Sequence, residues 1–325
     1  MTINLLTSVP EGLVLLTDSM LTSQQLGPRG FESTNFEHAT KLFELGQDAR
    51  AAAMISGIGT IGTRLVSQLI NVASAAIDVR MASGPIAHQD YVDEVAGVVS
   101  IHYDALVEQM KNQQVAFVNA NPAMLQQINA QRAARGFQPI NAFTVDNVGV
   151  TNSPGGSPYA DIYIAAPDLE VIVASFDGMP SASSLKWPGA LRSAIAADPG
   201  NVYWTGSGST AVSRIIKGFD AMLLQQDAMT NPAAAQAFAF LSSSSARYQM
   251  PAAFAVMPLQ EAVYFTEFLG HVAAGYDHFR AGPPGVGGDM SVLILNEACR
   301  RWIRRADIRS GLGEHFSGWS GMGIT

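Results

Sequence analysis

Two short apolar runs, residues 2–9 and 12–18, flank Pro10-Glu11-Gly12 and predict a β-hairpin at the start of the chain. A polar stretch over 26–38, punctuated by Gly27, Pro28 and Gly30, reads as a loop. Residues 41–45 and 51–56 then predict a second hairpin, turning at Gly46-Gln47-Asp48. Beyond Gly57-Ile58-Gly59 the period changes. Leu65, Leu69, Ala73 and Ile77 recur at helical spacing, and so do Val92, Val95, Val99, His102, Leu106 and Met110. Residues 113–140, rich in Asn, Gln and Ala, continue as an irregular or helical insertion. Strand patterns return between 141 and 205, broken by the turn-forming runs at 153–158 and 198–201. Helical spacing resumes after residue 209 and over 259–278. A strand at 290–295 then precedes a basic helix at 296–309 and a Gly-rich tail.

Strands grouped into hairpins, rather than alternating singly with helices, argue against a doubly wound parallel sheet. The order fits an α+β chain in which two antiparallel sheets stack face to face with helices outside both. Residues 1–295 read as one domain, with insertions near 113–140 and 178–200 and unassigned material at 228–256. Residues 296–325 form a C-terminal helix and tail.

Composition narrows the function classes. Of 325 residues, 48% are hydrophobic and 14% charged, which excludes a disordered chain. A net charge of −8 leaves no general basic footprint for nucleic acid or anionic lipid. The low charged fraction favours a subunit that hides surface in an oligomer. The single cysteine, Cys299, can make neither an intrachain disulfide nor a cysteine-based metal site. No apolar run approaches the roughly 20 residues of a membrane span. The start lacks a basic region and reaches a turn early, unlike a signal peptide. Together these point to a cytoplasmic protein.

Candidate chemistry gathers at the N-terminus. A threonine hydroxyl is a poor nucleophile unless a base takes its proton, and an N-terminal α-amine can be that base. It titrates at about 7.7–8.0 in peptides. A nearby ammonium holds it neutral, and a carboxylate fixes the ammonium. Backbone N–H groups must then meet the oxyanion. Thr2 becomes the first residue once Met1 is removed, which its small side chain permits. Asp18 ends the second predicted strand, Lys41 opens the next, and Gly57 ends its partner.

This arrangement resembles proteasome β-subunits and their bacterial relatives, the two-ring ATP-dependent peptidases and the Anbu proteins. Lys41-Leu42-Phe43 resembles the element carrying the family's lysine. Met54-Ile55-Ser56-Gly57 resembles the one whose glycine lines the oxyanion hole. Gly206-Ser207-Gly208 resembles a turn that precedes a helix. The resemblance implies the N-terminal nucleophile hydrolase fold, a four-layer αββα sandwich. It also implies a threonine peptidase that cleaves peptides or unfolded protein through an acyl-enzyme on Thr2. In that scheme Lys41 tunes the amine, Asp18 holds Lys41, Gly57 stabilises the oxyanion and Ser207 supports the amine. Self-association into a ring or barrel is implied, an ATP-dependent unfoldase is admitted as a partner, and no cofactor or metal is called for. One departure stands out. The family sets an Asp and a Ser just before a paired glycine, whereas residues 281–288 contain neither, and Asp277 is the nearest acid upstream.

Two other readings keep this fold: an amidase acting on a small molecule, and a catalytically silent scaffold. A rival motif is Gly57-Ile58-Gly59-Thr60-Ile61-Gly62, literally G-x-G-x-x-G, with Asp78 about 20 residues on. A dinucleotide site would need alternating βα units, which the rest of the chain lacks. The six histidines show no metal-ligand spacing, and His102 and His271 read as packing residues in helices.

Overall fold

The computed structural model describes residues 2–305, apart from 28–29, 37–38, 152–159, 207, 245–252 and 281–285. The expected first hairpin is β1 (Ile3–Val9) and β2 (Gly12–Asp18). A further hairpin, β3 (Leu21–Gly27) and β4 (Gly30–Phe36), replaces the loop expected over 26–38. Its ladder runs from Leu21↔Phe36 to Gly27↔Gly30. Main-chain pairing needs no apolar alternation, so hydrophobic patterning does not reveal it. Next come β5 (Leu42–Glu44) and β6 (Ala51–Gly57), paired as predicted, then the short ribbon β7 (Thr60–Ile61) and β8 (Arg64–Leu65). Three helices follow: α1 (Val66–Met81), α2 (His88–Asn119) and α3 (Pro122–Ala134). α3 starts where the Asn121 side chain accepts the Met124 N–H, with Pro122 in the first turn.

The middle of the chain supplies β9 (Val148–Val150), β10 (Ile162–Ile164), β11 (Leu169–Asp177), β12 (Met179–Trp187), β13 (Leu191–Ile195) and β14 (Val202–Gly206). After these come α4 (Ser209–Lys217), α5 (Ala221–Ala228), α6 (Pro232–Ser243) and α7 (Leu259–Phe279), then β15 (Met290–Leu295) and β16 (Arg300–Arg304). The chain is thus mixed α+β, and its two larger sheets are antiparallel. One runs β14-β1-β2-β15-β16 and the other β13-β12-β11-β6-β5. β9 and β10 form a small parallel pair.

Successive side chains of a strand point to opposite faces, so each sheet feeds two cores. Leu6, Leu15 and Leu293 of the first sheet share one cluster with Met54, Ile172 and Ala174 of the second. Ile3, Leu5 and Leu16, from the opposite face of the first sheet, pack with Val212 of α4 and Leu269 and Ala273 of α7. Ile55, Val171 and Val173, from the opposite face of the second, pack with Leu69 and Ala73 of α1 and Val95 and Val99 of α2. Both faces being covered explains why β1 and β2 are buried along their whole length.

Two boundaries differ from the sequence reading. The supposed insertion at 178–200 holds β12 and β13, which are integral to the second sheet. The predicted basic helix at 296–309 is instead, over its described part, a turn at 296–299 and the edge strand β16. Alternation turns Arg300 and Trp302 inward. The Arg300 guanidinium donates to the carbonyls of Leu45, Gly46, Gln47, Ala49 and Ala51, and Trp302 Nε1 donates to Glu44. A turn crowded with carbonyl oxygens thus decides the conformation of a segment some 250 residues away. The expected insertion at 113–140 is helical as far as Ala134, and Val118 and Ile128 build a satellite cluster with Phe143 and Val148. The Gly-rich tail lies outside the described residues.

Candidate active site

The floor of the site is an ion pair. Asp18 ends β2 and is fully buried, and its Oδ1 accepts Lys41 Nζ at 3.0 Å. Two backbone donors complete the carboxylate: Ile3 N–H to Oδ1 and Gly287 N–H to Oδ2, each at 3.1 Å. Lys41 precedes β5, is 4% exposed, and also donates to the Met20 carbonyl. Burial pushes the Lys41 ammonium below the ordinary lysine range, against the pull of the Asp18 charge. Burial likewise pushes the Asp18 carboxyl upward, opposed by Lys41 and the two N–H donors. Each group needs the other to remain ionised.

Thr2 enters β1 beside this pair and is 3% exposed. Gly206 lies opposite Ile3 in the register, with φ +95°. A Cβ at Gly206 would stand 2.8 Å from the Thr2 carbonyl carbon and closer still to its oxygen. Only glycine lets β14 approach the Thr2 main chain this closely. Gly208 does similar work one step on, where a Cβ would crowd Ile3 and Ala273. Ser207, between them, lies outside the described residues.

Gly57 ends β6 with φ +97°, and a Cβ there would stand 2.9 Å from the Asp168 carbonyl carbon. Its N–H direction follows from the ladder. Ile55 N–H donates to Lys41 O on the β5 side, and Ile58 N–H donates to Asp168 O on the β11 side. Antiparallel alternation therefore aims the Gly57 N–H to the β5 side, past the end of that strand. A cavity of about 280 Å³ opens there, and Thr2, Lys41 and Gly57 all line it with Ala39, Ile55 and Leu65. Residues predicted from three separate segments thus share one cavity, with Asp18 beneath it.

The G-x-G-x-x-G run takes a different form from a nucleotide turn. Gly57 closes a strand, Thr60–Ile61 and Arg64–Leu65 pair across Gly62, and α1 begins only at Val66. Asp78 lies inside α1 and accepts the Gln47 N–H at 2.6 Å. Both neighbours of β6 are antiparallel.

Sequence reasoning missed a polar row at this end of the fold. Across the first sheet, Thr205, Asn4, Thr17 and Ser291 are register neighbours, one row beyond Tyr203, Leu6, Leu15 and Leu293. Across the second, Ser56 and Glu170 are partners, one row beyond Met54 and Ile172. The space between the sheets therefore turns from apolar to polar where Thr2 enters. Glu170 is 9% exposed and accepts hydroxyl protons from Ser184 and Thr205 at 2.5 Å and from Tyr203 at 3.0 Å. Burial and the Glu170 carboxylate push the Tyr203 phenol upward. The Asn4 amide is fully buried, and neither of its polar atoms has a hydrogen-bond partner among the described residues. Such a group costs about 1–3 kcal/mol, and local violations of this kind gather at functional sites. The only sequence signal was polar residues at inward positions of apolar strands.

Asp277 is 5% exposed near the end of α7 and accepts the Val286 N–H at 2.8 Å, next to the residue that binds Asp18. His88 bridges Ser175 and Ser183, while His102 is half-buried and His271 is exposed. Among the described residues, no three His, Cys, Asp or Glu side chains gather to hold a metal ion. No helix among them is long and apolar enough to cross a membrane. No protein-family model matches the chain, and no curated protein matches its sequence.

Proposed function

We propose that the chain is a proteasome-like N-terminal nucleophile hydrolase, with a four-layer αββα sandwich and Thr2 as nucleophile once Met1 is removed. One observation carries the reading: Thr2, Lys41 and Gly57 line a single cavity over the buried Asp18 carboxylate. In this scheme the freed Thr2 amine takes the proton of its own hydroxyl through a bridging water or directly. Thr2 Oγ attacks a carbonyl carbon held in the cavity, and the developing oxyanion meets the Gly57 N–H. The amine returns the proton to the leaving nitrogen. Water then attacks the ester on Thr2 with the amine again as base, releasing the acid and restoring the hydroxyl. Lys41 stays protonated, holding the amine neutral by charge.

Peptides or unfolded polypeptide are the substrate class, and self-association into a ring or barrel belongs to the same reading. The decisive test is Thr2→Ala. It should abolish hydrolysis of fluorogenic peptides and covalent labelling by an electrophilic acyl probe, while thermal stability and assembly size stay unchanged. Full activity in Thr2→Ala would exclude the mechanism. Intact mass should show loss of the Met1 residue.

The cavity size favours a second reading, an amidase of the same fold. About 280 Å³ is at the lower limit of small-ligand pockets, near 300 Å³. A panel of small acyl amides run beside peptides separates the two by kcat/KM.

A further inference from the structure

We propose that the outer edge of β14 is a strand-addition site for an extended, acidic segment of another polypeptide. β14 ends the first sheet, and among the described residues no strand pairs with it on the side away from β1. Its direction of pairing can be read from one bond. Ser8 N–H donates to the Asn201 carbonyl at 2.8 Å. Antiparallel pairing repeats every second residue, so Asn201, Tyr203 and Thr205 turn their main chain toward β1. Val202, Trp204 and Gly206 turn theirs outward. A cavity of about 630 Å³ runs along that edge, lined by every residue of β14 and by none of β1. Ser209, Ser213 and Lys217, one stripe of α4, line it as well, and Lys186 of β12 reaches it from the second sheet. All five residues of β14 are half-buried, so the edge is open to a ligand.

Free edges invite pairing with other chains, and proteins usually blunt them with charge or proline. The other edges of the two larger sheets follow that rule. β16 carries Arg300, Arg301 and Arg304, β13 carries Arg192, and β5 carries Glu44. β14 reads Val-Tyr-Trp-Thr-Gly, four strong strand formers and a glycine, with no charge and no proline. Charge then selects the occupant. Of the charged groups on the cavity wall, Lys186 pairs with Glu170 at 3.5 Å, and Asp220 lies 4.0 Å from Arg214. Lys217 has no carboxylate partner among the described residues, and its ammonium lies 5.3 Å from the centre of the Trp204 ring. An incoming strand points alternate side chains to opposite faces. Those on the α4 side would meet Lys217 and Trp204, so a carboxylate at every second position fits and a lysine there would face a like charge.

This inference stands whether or not Thr2 is the nucleophile. The probe is an end-blocked peptide alternating Val and Glu, compared with its Val and Lys counterpart. Site-resolved amide hydrogen exchange of the full chain reads where it binds. With the glutamate peptide at ten times its Kd, exchange at Val202, Trp204 and Gly206 should slow about tenfold. Tyr203 and Thr205, already paired to β1, should change little. The lysine peptide should bind at least about threefold more weakly, and Lys217→Glu should reverse that order. Val202→Pro removes one outward donor at the first residue of an edge strand, where proline is tolerated. It should weaken binding of the glutamate peptide by about tenfold and leave the β1 ladder in place.

Slowing that is equal at all five residues, or absent from all of them, overturns the proposal. So does a lysine peptide that binds as well as the glutamate one, or a folded Val202→Pro that binds unchanged. Protection of the Val202, Trp204 and Gly206 amides without peptide, rising with protein concentration, would assign the edge to a second copy of this chain and overturn it too. If Val202→Pro does not fold, the alternating exchange pattern and Lys217→Glu decide.

Discussion

Replacing Lys41 by Met removes the ammonium and keeps most of the volume, so its cost isolates the charge. In the intact site Lys41 Nζ stands 3.0 Å from Asp18 Oδ1, with side-chain exposures of 4% and 0%. Deleting one partner of a buried pair costs about 3–5 kcal/mol, because the other charge stays buried without compensation. Asp18 keeps its two backbone donors, Ile3 and Gly287, which places the expected loss toward the lower end of that range. At about 2 °C per kcal/mol for a large domain, a loss of about 3 kcal/mol should lower Tm by about 6 °C.

The pH dependence gives this prediction its sign. Burial raises the folded-state pKa of Asp18, so its ionisation penalty is absent below the unfolded value near 3.8 and grows as pH rises through the folded value. Losing Lys41 raises that folded value further. The gap between Lys41→Met and the parent should therefore narrow as pH is lowered toward about 4. Adding Asp18→Asn removes the orphaned charge and should recover at least half of the loss. Thermal and urea denaturation of the four proteins of the cycle, at neutral and acid pH, measure this. A loss under about 1 kcal/mol, or no recovery in the double variant, would refute the buried-pair argument.

Two further predictions concern Thr2, the second with a control in α2. The pH profile of kcat/KM should rise as the Thr2 amine loses its proton, with a midpoint below the free-amine range of about 7.7–8.0 because the Lys41 ammonium favours the neutral amine. Because burial lowers the Lys41 pKa, activity should fall again before the ordinary lysine value of about 10.4; a profile flat across neutral pH would count against the amine as base. Gly206→Ala places a side chain on a φ of +95° and against the Thr2 carbonyl. It should cost more than about 2 kcal/mol and abolish probe labelling of Thr2. Gly97→Ala, in α2 with open space around it, should be neutral or stabilising by up to about 1 kcal/mol. Differential scanning fluorimetry and mass spectrometry of the labelled chain read both.

The elements legible in the sequence are those whose folding cause is local. β1 and β2 are apolar runs separated by a turn, and α1 carries its buried face at helical spacing. Thr2, Asp18, Lys41 and Gly57 sit at the ends of such elements, but it was the resemblance to a known family that singled them out as a candidate site. Where the cause is remote, the sequence alone was silent or misleading. β12 is polar and small over much of its length, and it is a strand because β11 offers it a ladder. Residues 300–304 are basic enough to read as an exposed helix, yet five carbonyls of the β5–β6 turn hold Arg300 in an edge strand. The Gly287 N–H on Asp18 joins residues 269 apart, and nothing near either residue encodes it. Periodicity and turn chemistry thus set out the strands that carry Thr2 and its neighbours, and the family resemblance picked out the residues. Their convergence on one cavity came from sheet register, two left-handed glycines and a buried ion pair, which act only once distant strands are in contact.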